Sequence, residues 1–328
     1  MIQTTKPLAG RVAVVTGASR GVGRGVAIGL GEAGATVYVT ARTMSEQGPV
    51  PGTAEETARE VTLAGGEGIA MRCDHTDDRQ VDEVLRRIER DQGRLDILVN
   101  NVYPAPGILP TLGPKMPGGR PFWEAPVDQG WEAAFTLGVR AHYVMTQKSM
   151  PMLLKSGGLI VNISSPGNYV YVISTMYGMG KAANERMTQQ MAIELANTPV
   201  SIVTLWPGTV RTEVVGEAIK ANPEFHRKVL ALMWENMPEA LERLPKLTHD
   251  EILALIESPV FSGRAVAALA ADPAVKTRSG RVLSVAELAH EYGFTDTDGT
   301  IPDGLNLLNV DAWPPLARRR STTIATKE

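Results

Sequence analysis

The chain has 328 residues, with 33 Lys and Arg against 36 Asp and Glu, and its net charge of −3 excludes a charge-driven nucleic-acid or membrane binder. At 43% hydrophobic and 21% charged it carries enough apolar surface to fold, which excludes a disordered chain. A single cysteine, Cys73, excludes an internal disulfide and a cysteine-based zinc site.

Length alone suggests about two domains at roughly 150 residues each. No stretch reaches the roughly 18 apolar residues of a membrane helix, and Met1–Gly10 lacks an apolar core behind a basic start. No membrane association and a cytoplasmic location are therefore expected.

From Arg11 onward, short β-branched runs alternate with segments of helical period, the pattern of βαβ units on a parallel sheet. Strands are predicted at Arg11–Thr16, Thr36–Thr40, Gly68–Arg72, Leu95–Asn100, Leu159–Ser164 and Val200–Leu205, with a seventh at Arg281–Val285. The first six are nearly continuously apolar, as strands covered on both faces are. Helices are predicted at Val22–Ala33, Thr53–Ala64, Asp77–Asp91, Gln129–Lys155, Thr175–Asn197 and Gly263–Ala271. The expected fold is α/β, a single Rossmann-type doubly wound parallel sheet with helices on both faces.

Three regions interrupt this rhythm. Tyr103–Pro126 is dense in Pro and Gly, too long for an ordinary connection, and reads as an insert loop. Arg211–Pro259 is mostly helical in pattern and holds Trp234; a mobile cover over a site and a packed helical hairpin both fit it. The tail from Pro314, with Arg318, Arg319 and Arg320, reads as a solvated, frayed end.

Directly after the first strand comes Thr16, Gly17, Ala18, Ser19, Arg20, Gly21, Val22, Gly23, leading into a helix. Glycine permits the sharp turn and the close approach of a pyrophosphate to the free N–H groups of the helix start. The spacing departs from the general G-x-G-x-x-G fingerprint. About 20 residues on, an Asp or Glu would hold the ribose 2′-OH of NAD, but the sequence reads Thr40, Ala41, Arg42, Thr43. Arg20 and Arg42 are expected to meet a 2′-phosphate. A charged hydrogen bond contributes roughly 1.5–3 kcal/mol and each 1.4 kcal/mol is about tenfold, so two such contacts favour NADP(H) by roughly a hundredfold or more.

After the fifth strand come Asn162, Ile163, Ser164 and Ser165, and twelve residues beyond Ser165 stands Tyr177, followed one helical turn later by Lys181. The pair shares a helix face, about 6 Å apart at Cβ, where an ammonium is expected to depress the phenol pKa and let it move a proton near neutral pH. The five histidines show no ligand-pair spacing, and no metal is expected.

Taken together, TGASRGVG, CD at Cys73–Asp74, NN at Asn100–Asn101, ISS, YGMGK and PGTVRT at Pro207–Thr212 resemble the short-chain dehydrogenases/reductases over roughly Lys6–Gly293. The resemblance implies Ser165, Tyr177 and Lys181 as the catalytic residues, with Lys181 also on the nicotinamide ribose. It implies that Asp74 contacts adenine and that Asn100 and Asn101 hold the strand beside the adenosine ribose. Pro207, Gly208, Val210 and Thr212 would frame the nicotinamide and its phosphate. The long insert, SSPG, LWPG and LGVRAHY narrow the resemblance to a subgroup of carbonyl reductases, and family membership implies a homodimer or homotetramer built on the two long helices.

Two departures stand out. The family's tetrad asparagine falls at Gly138, which offers no amide. The interval from Ser165 to Tyr177 is one residue shorter than the family's usual spacing, so register favours Ser165 while spacing favours Ser164. The reading is an NADP(H)-dependent reductase of a small carbonyl substrate. Alcohol oxidation and a catalytically weak NADPH-binding protein, the latter because of Gly138, are the alternatives.

Overall fold

The computed structural model describes residues 6–45, 50–103, 109–116, 118–169, 171, 173–215, 246, 248, 251 and 256–302. Most of the expected helical cover, including Trp234, and the whole tail from Pro314 lie outside the described residues.

The strands are β1 (Val12–Thr16), β2 (Thr36–Ala41), β3 (Glu67–Arg72), β4 (Ile97–Asn100), β5 (Leu159–Ile163), β6 (Ser201–Trp206) and β7 (Val282–Ser284). All pair in parallel, in one sheet of order β3-β2-β1-β4-β5-β6-β7. The helices are α1 (Gly21–Glu32), α2 (Ala54–Leu63), α3 (Asp78–Gln92), α4 (Val127–Trp131), α5 (Ala141–Ser156), α6 (Thr175–Glu194), α7 (Pro259–Ala271) and α8 (Val285–Tyr292).

Side-chain alternation sorts the core into two layers. In β1, Ala13 and Val15 face a cluster with Leu30 of α1, Val61 of α2 and Phe261 of α7, while Val12 and Val14 face one with Ile88 of α3 and Met145 of α5. Two sequence expectations are corrected here. β3 is an edge strand, exposed at both ends and only partly buried between, rather than covered on both faces. The single helix expected at Gln129–Lys155 is instead α4 and α5 joined by a π-helical stretch, Glu132–Arg140, a wide-turn geometry that is frequent at functional sites.

Helices α1 and α7 pack backbone to backbone. A Cβ at Gly25 would come within 2.5 Å of three atoms of Pro259, so a larger residue there forces the helices apart. The order reverses direction between β1 and β4, the switch point at whose carboxyl edge an open α/β sheet presents a crevice.

Candidate active site

The expected site residues lie along that edge, each at the last residue of a strand, on the loop that leaves it or on the helix that follows. After β1, the turn that begins with Gly17 (φ +65) reaches Gly21 (φ +59), a left-handed conformation costly for any residue with a Cβ, and α1 starts there. Its N-cap, Arg20, supplies no side-chain hydrogen bond to the N–H groups of the helix start. The Gly21 N–H instead donates to the Glu213 carboxylate at 2.6 Å, and Arg24 binds the same carboxylate at 2.9 Å. Thr212 packs beside Gly21: a Cβ added there would sit 3.5 Å from its methyl group. Ser19 is buried, Val22 packs against the core and Gly23 lies under the Asn101 amide.

Arg20 donates to the Gly52 carbonyl at 2.9 Å, and its Nε is buried without a hydrogen-bond partner. Arg42 is exposed just beyond β2. Asp74 follows β3 and accepts from the Thr76 N–H and hydroxyl; these bonds and the nearby Arg42 hold its carboxyl below the usual range, against the opposing effect of burial. Asn100 ends β4 fully buried, donating to Thr146 and to Asn162 of β5 at 2.8 Å each, and so ties β4 to its neighbours. Asn101 donates to the Thr16 and Gly17 carbonyls, which pins the glycine turn to β4.

The two serine alternatives separate cleanly. β5 ends at Ile163, and the Ser165 hydroxyl lies 2.7 Å from the Tyr177 hydroxyl. Ser164 points the other way and donates to buried Glu185 at 3.2 Å. Tyr177 sits in the first turn of α6, where its N–H donates to the Ser174 cap. The approach to α6 is strained: Ile173 has φ +62, which a β-branched residue rarely adopts, and its carbonyl accepts the Gly113 N–H at 2.7 Å, joining the Pro-rich insert to the site.

Lys181 is buried, its Nζ 5.5 Å from the centre of the Tyr177 ring and 4.5 Å from that of Tyr103. Burial pulls its ammonium down to about 8, with Glu185 opposing. Tyr177 corrects an expectation: burial pushes its phenol up, and the Ser165 hydrogen bond offsets only part of that. Glu185 accepts from Ser164, Asn168 and the Trp206 indole, and burial raises it to about 7. After β6, Val210 forms a bridge with Glu257, and the Gly208 N–H bonds the Glu257 carboxylate, which burial raises to about 8.

A hydroxyl pair with a lysine one helical turn beyond its tyrosine, at the carboxyl edge of a parallel sheet, matches a known pattern. The family model for short chain dehydrogenases matches residues 11–223. The chain belongs to the short-chain dehydrogenase/reductase family. The dehydrogenase/reductase SDR family member 1 of Mus musculus is 39% identical over 295 residues, 89% of this chain and 85% of that protein. Its Homo sapiens counterpart is 36% identical over 307 residues, 93% and 89% of the two chains. A crystal structure of a short chain dehydrogenase from Mycobacterium thermoresistibile has the same fold, with TM-score 0.67 at 22% identity over 90% of this chain and 93% of that one. The chain is thus an oxidoreductase of a family that uses nicotinamide cofactors. Among the described residues no helix of this family member is long and apolar enough to cross a membrane.

Three residues near the site carried no motif: Glu213, Glu185 and Tyr103. Glu213 had one available signal, its place directly after PGTVRT, and Tyr103 had its place directly after NNV.

Proposed function

We propose that the protein is an NADP(H)-dependent carbonyl reductase that turns a ketone or aldehyde into an alcohol. The observation that carries this reading is the Ser165–Tyr177 hydroxyl pair, 2.7 Å apart, with a buried ammonium beside the tyrosine ring.

The residues fit a dinucleotide. α1 begins with no side-chain cap and its first N–H already takes a carboxylate, so this helix start accepts an anion. Gly17, Ser19, Arg20, Gly21, Val22 and Gly23 would hold the pyrophosphate, Arg20 with Arg42 a 2′-phosphate and Asp74 the adenine. Asn100 would act through the strand it secures, Lys181 on the nicotinamide ribose, and Pro207, Gly208, Val210 and Thr212 around the nicotinamide. When bound, NADPH supplies the hydride. The arginines at the end of β2 and in the glycine turn, with no carboxylate at that strand end, support NADP(H) over NAD(H), and with it the reductive direction.

The chain's own part is to move one proton. Ser165 orients the carbonyl oxygen by hydrogen bonding. Tyr177, kept protonated by burial, delivers its proton as negative charge builds on that oxygen. Lys181, charged below about pH 8, stabilises the phenolate that remains. Assembly into a homodimer or homotetramer belongs to the same proposal, supported by Trp131, Tyr143, Met179 and Ile193, which stand exposed along the helical segments from α4 to α6.

The test follows cofactor absorbance over a panel of ketones and aldehydes with NADPH and with NADH. Turnover of at least one carbonyl, favouring NADPH by roughly a hundredfold in kcat/KM, is expected. Failure to turn over any carbonyl with either cofactor overturns the reductase reading, and equal kcat/KM overturns the cofactor preference.

A further inference from the structure

The residues around Gly138 explain why no asparagine stands there. A Cβ at position 138 would lie 3.0 Å from Cε2 and 3.2 Å from Cδ2 of Tyr103, so the Tyr103 ring fills the space that a side chain would need. The same ring meets Tyr177 edge-on, at 5.8 Å between centres and 88° between planes. Of the two tyrosine rings, that of Tyr103 lies nearer the Lys181 ammonium, at 4.5 Å against 5.5 Å. An ammonium over an aromatic face is attracted by the ring quadrupole, most strongly where water is excluded.

Buried hydrogen bonds hold positions 102–103 and 138 in register. The Val102 carbonyl bonds His142 Nε2 at 3.0 Å, His142 Nδ1 bonds the Asn184 amide nitrogen at 2.9 Å, and that amide also reaches the Gly138 carbonyl at 3.5 Å. Burial lowers His142 to about 4, so the ring is neutral at pH 7, donating from Nε2 and accepting at Nδ1. The Tyr103 hydroxyl, by contrast, is buried with no hydrogen-bond partner. The side-chain contacts of Tyr103 with Gly138, Tyr177 and Lys181 are made by the ring.

We infer that Tyr103 and Gly138 jointly replace the family's asparagine: the Tyr103 ring is a positioning residue that holds the Lys181 ammonium beside Tyr177, and glycine at 138 makes room for it. The inference rests on the roles proposed above for Tyr177 and Lys181. Tyr103 stays neutral, because burial pushes its phenol far up, and it does not compete with Tyr177 as a proton carrier. Among the described residues, the ionisable groups facing Lys181 are Tyr103 after β4, Tyr177 and Glu185 on α6, and neutral His142 on α5. Only Glu185 among them can carry negative charge, and with burial raising it to about 7 it does so only in part near neutral pH, so the ring supplies a further attraction that a buried cation needs.

The test uses four variants: Tyr103→Phe, Tyr103→Leu, Gly138→Asn and the double variant Tyr103→Gly with Gly138→Asn. Lys181 is titrated in the cofactor-free protein by NMR of ¹³Cε-labelled lysine, assigned with Lys181→Arg. Thermal unfolding and the pH dependence of kcat complete the set. Tyr103→Phe should match the wild type throughout. Tyr103→Leu should move the Lys181 midpoint down by about one pH unit, as loss of a desolvated cation–π contact requires. The alkaline limb of kcat should follow it, with kcat lowered roughly tenfold and carbonyl KM changed by less than about threefold. Gly138→Asn alone should lower Tm, and adding Tyr103→Gly should recover much of the loss, because the two sites couple.

An unmoved Lys181 midpoint in Tyr103→Leu overturns the inference, as does a Tyr103→Phe variant that behaves like Tyr103→Leu, or a double variant no more stable than Gly138→Asn. The titration and the unfolding cycle need no turnover. They decide this inference even if no carbonyl is reduced, whereas an inactive wild type with intact coupling counts against the reductase reading alone.

Discussion

The Ser165 and Tyr177 hydroxyls stand 2.7 Å apart, although a one-turn helix and a strained loop separate them in the chain. Ser164, one residue earlier, lies on the opposite side and serves Glu185. The neighbours therefore divide two tasks. Ser165→Ala should lower kcat roughly 10- to 100-fold and Tyr177→Phe by roughly 10² or more. Ser164→Ala should leave kcat within about threefold and instead cost about 1–2 kcal/mol of stability, by depriving a buried carboxylate of a donor. Steady-state kinetics and urea unfolding of the three variants check this; equal kinetic damage from the two serine variants would refute it.

Arg42 stands exposed at the end of β2, while Arg20 is anchored on the Gly52 carbonyl. Each guanidinium should contribute roughly tenfold to the preference for NADPH. Arg42→Ala should lower kcat/KM with NADPH about tenfold and leave that with NADH nearly unchanged. A parallel loss with both cofactors would show that Arg42 does not read the 2′ position.

Glu213 already occupies the first N–H of α1, with its charge where an incoming pyrophosphate would bring more negative charge. Glu213→Gln keeps an acceptor for Gly21 and removes the repulsion. NADPH affinity, measured by fluorescence titration, should rise roughly three- to tenfold. Unchanged or weaker binding would show that the carboxylate does not oppose the cofactor.

Glu257 is buried behind the Gly208–Val210 turn and ionises at about 8, above its ordinary 4.5, because of burial. Between these values the folded state binds more proton than the unfolded chain, so this group's contribution is fully present below about 4.5 and is lost as pH rises through about 8. Glu257→Gln should remove that slope. Measured by urea unfolding, the variant should gain on the wild type as pH goes from 5 to 8, by an amount on the order of 1–3 kcal/mol. An identical pH profile for the two proteins would show that Glu257 is not the group responsible.

Six strands were legible as apolar runs, the seventh as a shorter β-branched one, and the glycine turn and the Tyr177–Lys181 pair as spacing, because each of those signals lies within a short stretch of chain. What escaped depends on contacts across it. The different contacts of Ser164 and Ser165 depend on Glu185, which belongs to no spacing pattern. Tyr103 read only as the start of a Pro-rich insert, since no periodicity reports that its ring lies against Gly138 and Lys181. The π-helical stretch has the same apolar period as an ordinary helix. The edge position of β3 is a fact of strand order that its own residues do not reveal.

The Val210–Glu257 bridge brings together two points far apart in the chain, with the segment between them leaving and returning at one place. Arg211 N–H donates to the Glu257 carbonyl and Glu257 N–H to that of Thr209, so the crossing is clasped from both sides. Loop-closure entropy grows only slowly with length, so such a clasp accepts inserts of very different size. The frame on either side of the bridge and the length of chain that it closes are therefore uncoupled: the bridge works as a socket whose own geometry does not depend on how many residues lie between its two halves.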